Sequence, residues 1–374
     1  MSAPIYLDYQ ATTPLAPEAA AAMRPWLDDK FANPHSSHRL GREAAAAVEA
    51  ARAQVAALLP PDGRLYFTSG ATEAINWALK GAIARLPQAR LSILALATEH
   101  AAVLDTVEWL DRGYANADIV LVGLDGRLEL DLFAPRIKPD TGIVAAMLVN
   151  NEIGVIQPIA EIAALARSNG ALFLCDAVQG FGRVPLPADS CDLIALSAHK
   201  IHGPKGIGAL WVRNGVALDP LLHGGGQEGE LRSGTLSPAL CVGFGAAAKL
   251  LAERADQDHA HVVRLASLAC ERMRHWTLNG SAEHRYPGNL NLRRAGIDAA
   301  RLIADVRQVA FSAGSACASG SDRISHVLRA IGLSDAEARS SIRLGFGRYT
   351  TEAELTEALD LINAAAERQL ELPA

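Results

Sequence analysis

Cysteine is scarce: five residues in 374, at positions 175, 191, 241, 270 and 317. No two form a Cys-x-x-Cys pair, so neither a zinc ribbon nor a dithiol redox motif is available. An odd, widely spaced set in a chain long enough to build its own core also argues against a disulfide framework. Long apolar runs are missing as well. The longest, Ile143–Val149, falls far short of the ~20 residues that a membrane span needs. There is no basic block either. The 35 Lys and Arg are interspersed with 41 Asp and Glu for a net charge of −6, which gives no reason to expect a nucleic acid or an anionic membrane as partner. The opening Met-Ser-Ala-Pro-Ile-Tyr-Leu-Asp puts an acid where a secretion signal would be apolar, so a cytoplasmic protein is expected.

What remains is a composition that is 50% hydrophobic and 20% charged, ordinary for a folded protein of about two domains. Short apolar runs at Leu65–Thr68, Ser92–Ala97, Ile119–Val122, Ile143–Val149 and Ala171–Cys175 read as buried strands. Helical patterns at Arg42–Leu59, Thr72–Leu86, Ala101–Arg112 and Ile159–Ser168 separate them. That alternation predicts an α/β fold with a mostly parallel central sheet and helices on both faces. Strands at Asp192–Leu196 and Gly208–Val212 have only a loop between them, so part of the sheet should run antiparallel. Pro238 to about His275 predicts a helix pair or one long bent helix, broken by little except Gly243 and Gly245. The remainder, with strands at Asn289–Leu292, Val309–Ser312 and Ser341–Leu344 and helices at Asp298–Val306, Ile324–Ile331 and from Thr351, reads as a smaller α+β unit.

Several segments could carry chemistry. Phe67 to Glu73 is a strand that ends in small residues and opens a helix. A helix N-terminus offers unpaired N–H groups and partial positive charge to a phosphate. Ser69 followed by Thr72 and Glu73 would equally make a plain cap. Ser197 to Gly206 follows a strand at the edge where open sheets bind ligands. Desolvated there, Lys200 could lose its proton and form a Schiff base with a carbonyl; a solvated turn is the alternative. His199 and His202 have metal-like spacing, but no third ligand accompanies them and no metal is expected. Asp176 ends an apolar strand, where a buried carboxylate needs a cation, either a protonated pyridine nitrogen or an arginine. Glu99-His100 and Asn150-Asn151 close neighbouring strands, and His100 could stack on an aromatic ligand and move protons. Cys317 lies among Gly, Ala and Ser from Ala313 to Ser321, a run that suits either a reactive thiol on a mobile loop or a tight turn with an inert one.

Ten segments stand in a telling order: Tyr6–Pro14, Asn33–His38, Thr68–Glu73, Glu99-His100, Asn150–Gly154, Asp176-x-x-Gln179, Ser197–Gly206, Arg232–Thr235, Gly314–Cys317 and Ile342-Arg343. Together they resemble the pyridoxal-phosphate-dependent cysteine desulfurases of the class V aminotransferase superfamily, in particular the group with a long Cys loop that feeds iron–sulfur cluster assembly. The resemblance implies a fold type I homodimer with a large cofactor domain over 14–245 and a small α+β domain over 246–374 joined by residues 1–13. It implies pyridoxal 5'-phosphate held by Lys200, with Asp176 on the pyridine nitrogen, Gln179 on the ring oxygen and His100 stacked on the ring. Ala71, Thr72, Ser197 and His199 would take the phosphate, with Thr235 reaching in from the other subunit. Asn151 and Arg343 would hold the carboxylate of L-cysteine, and Cys317 would receive its sulfur and pass it to an acceptor such as an iron–sulfur scaffold. Rival expectations are a selenocysteine lyase, another class V enzyme, or a cofactor-binding assembly or regulatory subunit. One departure stands out: Gly229-Glu230 replaces the usual Arg-Gly, which removes a positive charge near Thr235.

Overall fold

The computed structural model describes residues 4–314 and 324–371. The chain opens with β1 (Ile5–Tyr6), α1 (Pro17–Asp28) and α2 (Arg39–Ala56). An alternating stretch follows: β2 (Gly63–Thr68), α3 (Ala71–Ile83), β3 (Ser92–Leu96), α4 (Ala101–Asp111), β4 (Asn116–Val120), α5 (Leu130–Phe133), β5 (Thr141–Met147), α6 (Ile159–Ser168) and β6 (Leu172–Asp176). Then come β7 (Leu193–Ser197), β8 (Gly208–Arg213) and the long α7 (Pro238–Arg272). The C-terminal part holds β9 (Thr277–Leu278), β10 (Asn289–Arg293), α8 (Ala299–Asp305), β11 (Val309–Ala310), β12 (Ser312–Ala313), α9 (His326–Ala330), α10 (Asp335–Arg339), β13 (Ser341–Gly345) and α11 (Glu352–Glu371).

Seven strands form the central sheet in the order β2-β8-β7-β6-β5-β3-β4. Only β8 runs against its neighbours; the other pairs are parallel. The ten residues between β7 and β8 are too few for a parallel crossover, which is why the sheet reverses there. Side-chain alternation sends Phe173 and Cys175 into one apolar cluster with α2, α6 and α7, and Leu174 into another with α3 and α4. The expected helix-covered, mostly parallel sheet is therefore present.

The long helical pattern is one continuous helix, α7. Its two glycines are contact points and not breaks. A Cβ on Gly243 would lie 2.5 Å from Met23 Sδ, and one on Gly245 would lie 2.8 Å from Ala51 Cα, so their absence lets α1 and α2 pack closely on α7. Two other expectations need correction. The predicted Val309–Ser312 strand is two short strands in different sheets, because β11 pairs with β1 while β12 pairs with β13. The predicted Ile119–Val122 strand begins earlier, at Asn116. The helix α1 and the short α5 and α10 carry no pattern strong enough to have been read.

The N-terminal segment links the two sheets. β1 pairs with β11, Asp8 bridges to Gly345 of β13, and Gln10 Nε2 donates to Gly288 O. Residues 10–13 then cross to the end of β7, where Thr13 Oγ1 donates to His199 O. No helix among the described residues is long and apolar enough to cross a membrane.

Candidate active site

Strand direction decides where the chemistry collects. β3, β5, β6 and β7 are parallel and β2 runs with them, so the segments following all five emerge at one sheet edge. A cavity of about 470 Å³ opens there. Its walls include Ala71, Thr72, His100, Asn151, Asp176, Gln179, Ser197, His199, Lys200 and Arg343. Ser69, expected only as a helix cap, also lines it, as do Gln10, Ala11, Gly70 and Lys205, to which the sequence reading gives no role. For Lys205 the signal was available, since it shares a Gly/Pro loop with Lys200.

At one end lies the start of α3. The expected Ser69 cap is absent: Gly70 is the N-cap residue and provides no side-chain bond. Glu73 instead reaches back to Ser69 N–H at 2.7 Å and pairs with Arg232 at 2.7 Å. The first turn therefore faces the cavity without a side-chain cap, in the state suited to an anion. Gly208 makes the approach possible, because a Cβ there would sit 2.8 Å from Gly70 Cα. His199 stands nearby with Nδ1 3.1 Å from Thr12 Oγ1. Burial, helped by the cations of Lys200 and Lys205, lowers its pKa to about 4, so it is neutral near pH 7.

Asp176 closes β6 with its carboxylate buried, and Oδ1 accepts the Val178 N–H at 3.0 Å. Burial raises its pKa, while the charges of His100 and Lys200 pull it down. His100 caps α4 and accepts the Ala102 N–H on Nδ1 at 3.0 Å. Its neutral ring must then carry the proton on Nε2. Desolvation lowers its pKa, against the attraction of Asp176. Lys200 sits in the tight turn after β7, and Nζ donates to the carbonyls of Gln10 and Ala11, the latter at 2.7 Å. Gln179 is engaged at both ends: Nε2 donates to Gln10 O at 2.9 Å, and Oε1 accepts from Arg183 at 2.8 Å. Across the cavity Arg343 is almost fully buried. It pairs with Asp8 at 2.7 Å and donates to Asn151 O at 3.0 Å, and its Nε has no hydrogen-bond partner among the described residues.

These residues fit pyridoxal phosphate: an uncapped helix start for the phosphate, a buried carboxylate for the ring nitrogen, an imidazole and a lysine between them. Thr235 does not line this cavity; it is exposed on the loop before α7. Cys317 lies outside the described residues. A side chain at 229 would meet the Arg64 guanidinium, whose Nη1 is 3.3 Å from the Cβ position. Glu230 holds a backbone φ of 68°, in the region that glycine adopts most easily.

The class-V aminotransferase family model matches residues 5–357. The chain belongs to the class-V aminotransferase family. It is 45% identical to a mitochondrial cysteine desulfurase of Eremothecium gossypii, over 99% of this chain and 77% of that protein. The cysteine desulfurase IscS of Rickettsia akari is 43% identical, over 97% of this chain and 91% of the relative. Among solved structures, a NifS-like protein superposes with a TM-score of 0.91 at 31% identity, covering 98% of this chain and all of that one.

Proposed function

We propose that the protein is a pyridoxal-phosphate-dependent cysteine desulfurase, which converts L-cysteine and a protein thiol into L-alanine and a protein persulfide. The observation that carries this reading is the meeting of Lys200, Asp176, His100 and an uncapped helix start in one cavity, in a chain aligned over almost its full length with cysteine desulfurases. When bound, pyridoxal phosphate supplies an electron sink for the substrate's Cα.

The protein's own groups have separable tasks. Ala71, Thr72, Ser197 and neutral His199 hold the phosphate, with Thr235 contributed across a homodimer. Asp176 would pair with the ring nitrogen, whose positive charge would favour the ionised carboxylate. His100, with its proton on Nε2, would lie beside the ring. Lys200 would hold the cofactor through its amine and take up the substrate's Cα proton. Gln179, held by Arg183, would bond the ring oxygen. Asn151 and Arg343 fix the substrate carboxylate, for which the planar guanidinium offers a two-point match. The Cys317 thiolate attacks the substrate sulfur, the carbon–sulfur bond breaks, and the carbon takes up a proton to give alanine. The sulfur stays on Cys317 as a persulfide for an acceptor protein, an iron–sulfur scaffold in the reading favoured by the IscS relatives.

The test is alanine formation from L-cysteine by the cofactor-loaded protein beside Cys317→Ala and Lys200→Ala. Activity lost in both variants supports the scheme. Alanine from the Cys317→Ala protein would remove the persulfide step, and a silent wild type that binds cofactor would remove the activity.

Lys205 adds a second expectation. With His199 neutral and Arg232 committed to Glu73, Lys205 is the cation of the phosphate end that has no ion-pair partner among the described residues. Lys205→Ala should weaken pyridoxal phosphate binding about tenfold and leave binding of unphosphorylated pyridoxal unchanged. Equal losses for both would show that Lys205 does not meet the phosphate.

A further inference from the structure

A second cavity, of about 40 Å³, also touches Lys200 and is lined by Arg183, Arg348, Asp258, His202 and Tyr286. Its charges do not balance. The Arg183 guanidinium donates to Gln179 Oε1 at 2.8 Å and to the Lys200 carbonyl, and lies 5.5 Å from the centre of the Tyr286 ring. It has no carboxylate in ion-pair range among the described residues. Arg348, with its side chain 3% exposed, meets Asp258 through Nε at 2.8 Å and Nη2 at 2.6 Å. Its Nη1 is buried with no hydrogen-bond partner among the described residues. Asp258 is not Arg348's alone, since Arg254 also stands 3.5 Å from it.

The other groups facing this space supply no negative charge. The His202 Nδ1 is 3.0 Å from Pro14 O, where it donates as a neutral ring, because burial and the cations of Arg348 and Arg183 push its pKa down to about 3. Burial raises the pKa of the Tyr9 and Tyr286 hydroxyls, so both stay protonated. Lys200 brings a further positive charge to the boundary. Arg183 is partly buried, and a guanidinium drawn away from water without a counter-charge is unfavourable. A water molecule could satisfy the Nη1 donor but would leave the charge uncompensated. The space has room for a small ion together with a water or two and is too small for a phosphate ester.

We infer that this cavity is a binding site for a small monovalent anion of the halide class, held between Arg183 and Arg348. The site is distinct from the phosphate end of the larger cavity, and the inference does not rest on the cofactor reading. Because Arg183 also holds Gln179 and the Lys200 carbonyl, a bound anion would stiffen the turn that presents Lys200.

The test uses the purified protein in sodium chloride, bromide or gluconate at matched ionic strength. Chloride and bromide should raise the melting temperature saturably, and gluconate, a six-carbon anion too large for the space, should not. Crystals soaked in bromide should show an anomalous peak between Arg183 and Arg348. Arg348→Lys, which keeps one charge but loses the fork, should weaken the halide-specific shift. Three results would overturn the inference: water alone between the two arginines, equal stabilisation by all three salts, or a bromide peak without halide-specific stabilisation, which would mark an adventitious ion only.

Discussion

Glu99 shows how much one buried group can say. It is fully buried beside His100; Oε1 accepts the Met147 N–H at 2.9 Å, and Oε2 has no hydrogen-bond partner among the described residues. Burial raises its pKa well above the usual carboxylate range, and the nearby charge of Asp176 adds to the effect. A neutral Glu99 leaves Asp176 free of a second negative charge. The unfolded chain ionises Glu99 at its ordinary value, so its contribution to stability is complete below about pH 4.5 and is lost as pH rises toward the folded value. Relative to Glu99→Gln, which keeps an oxygen for Met147, the wild type should lose about 1.4 kcal/mol per pH unit over that range. Urea unfolding at pH 5 and pH 8 measures it, and parallel profiles would mean that Glu99 is ionised in the fold. His202 predicts the opposite slope. Its folded pKa lies below the unfolded one, near 3 against 6.5, so the wild type should lose stability relative to His202→Asn as pH falls below about 6.5. Asparagine suits this position because it tolerates the φ of 67° found there.

The decisive element is α3. Its sequence favours a helix, but its use as an anion site depends on how β8 lies against its first turn. A Cβ on Gly208 would meet Leu196 O at 2.5 Å as well as Gly70. Gly208→Ala should therefore destabilise the protein by about 1–3 kcal/mol and weaken cofactor binding by pushing the start of α3 out of line. Thermal unfolding and cofactor titration report the two effects separately. Stability lost with full cofactor affinity would show that the helix start tolerates displacement.

Across the whole molecule, a buried ion pair ties distant segments together around the sheet. Glu228 accepts from Arg52 of α2 at 2.6 Å and from Phe67 N–H of β2 at 2.7 Å, although it lies on the loop that precedes α7. That loop also carries Arg232, which holds Glu73 at the start of α3. Glu228→Gln should cost about 1–3 kcal/mol, because the largely buried Arg52 would keep only the exposed Glu49 as its counter-charge. A change in melting temperature smaller than a surface substitution gives would show the pair to be dispensable. The N-terminal segment has a comparable reach: it joins β11 through β1, Arg343 through Asp8, and Lys200 through the carbonyls of Gln10 and Ala11.

The strand–helix alternation was legible in the chain alone, since a period of two or of 3.6 residues is a local property. It also determined most of the cavity lining, because residues at strand ends in a parallel sheet share one edge whatever the details of packing. Asp176, His100, Ser197 and Lys200 were legible for that reason. The rest came from contacts that folding makes between remote segments. The Ser69 cap proved to be Gly70, because Glu73 is drawn to Ser69 N–H and to Arg232, which lies far away in sequence. Arg64 of β2 stands beside Gly229, and no local pattern encodes that juxtaposition. The pairing of Arg343 with Asp8 and the excess of guanidinium over carboxylate around Arg183 and Arg348 join residues remote in sequence. Such electrostatic balances are set by which groups share a desolvated space, and only folding brings those groups together.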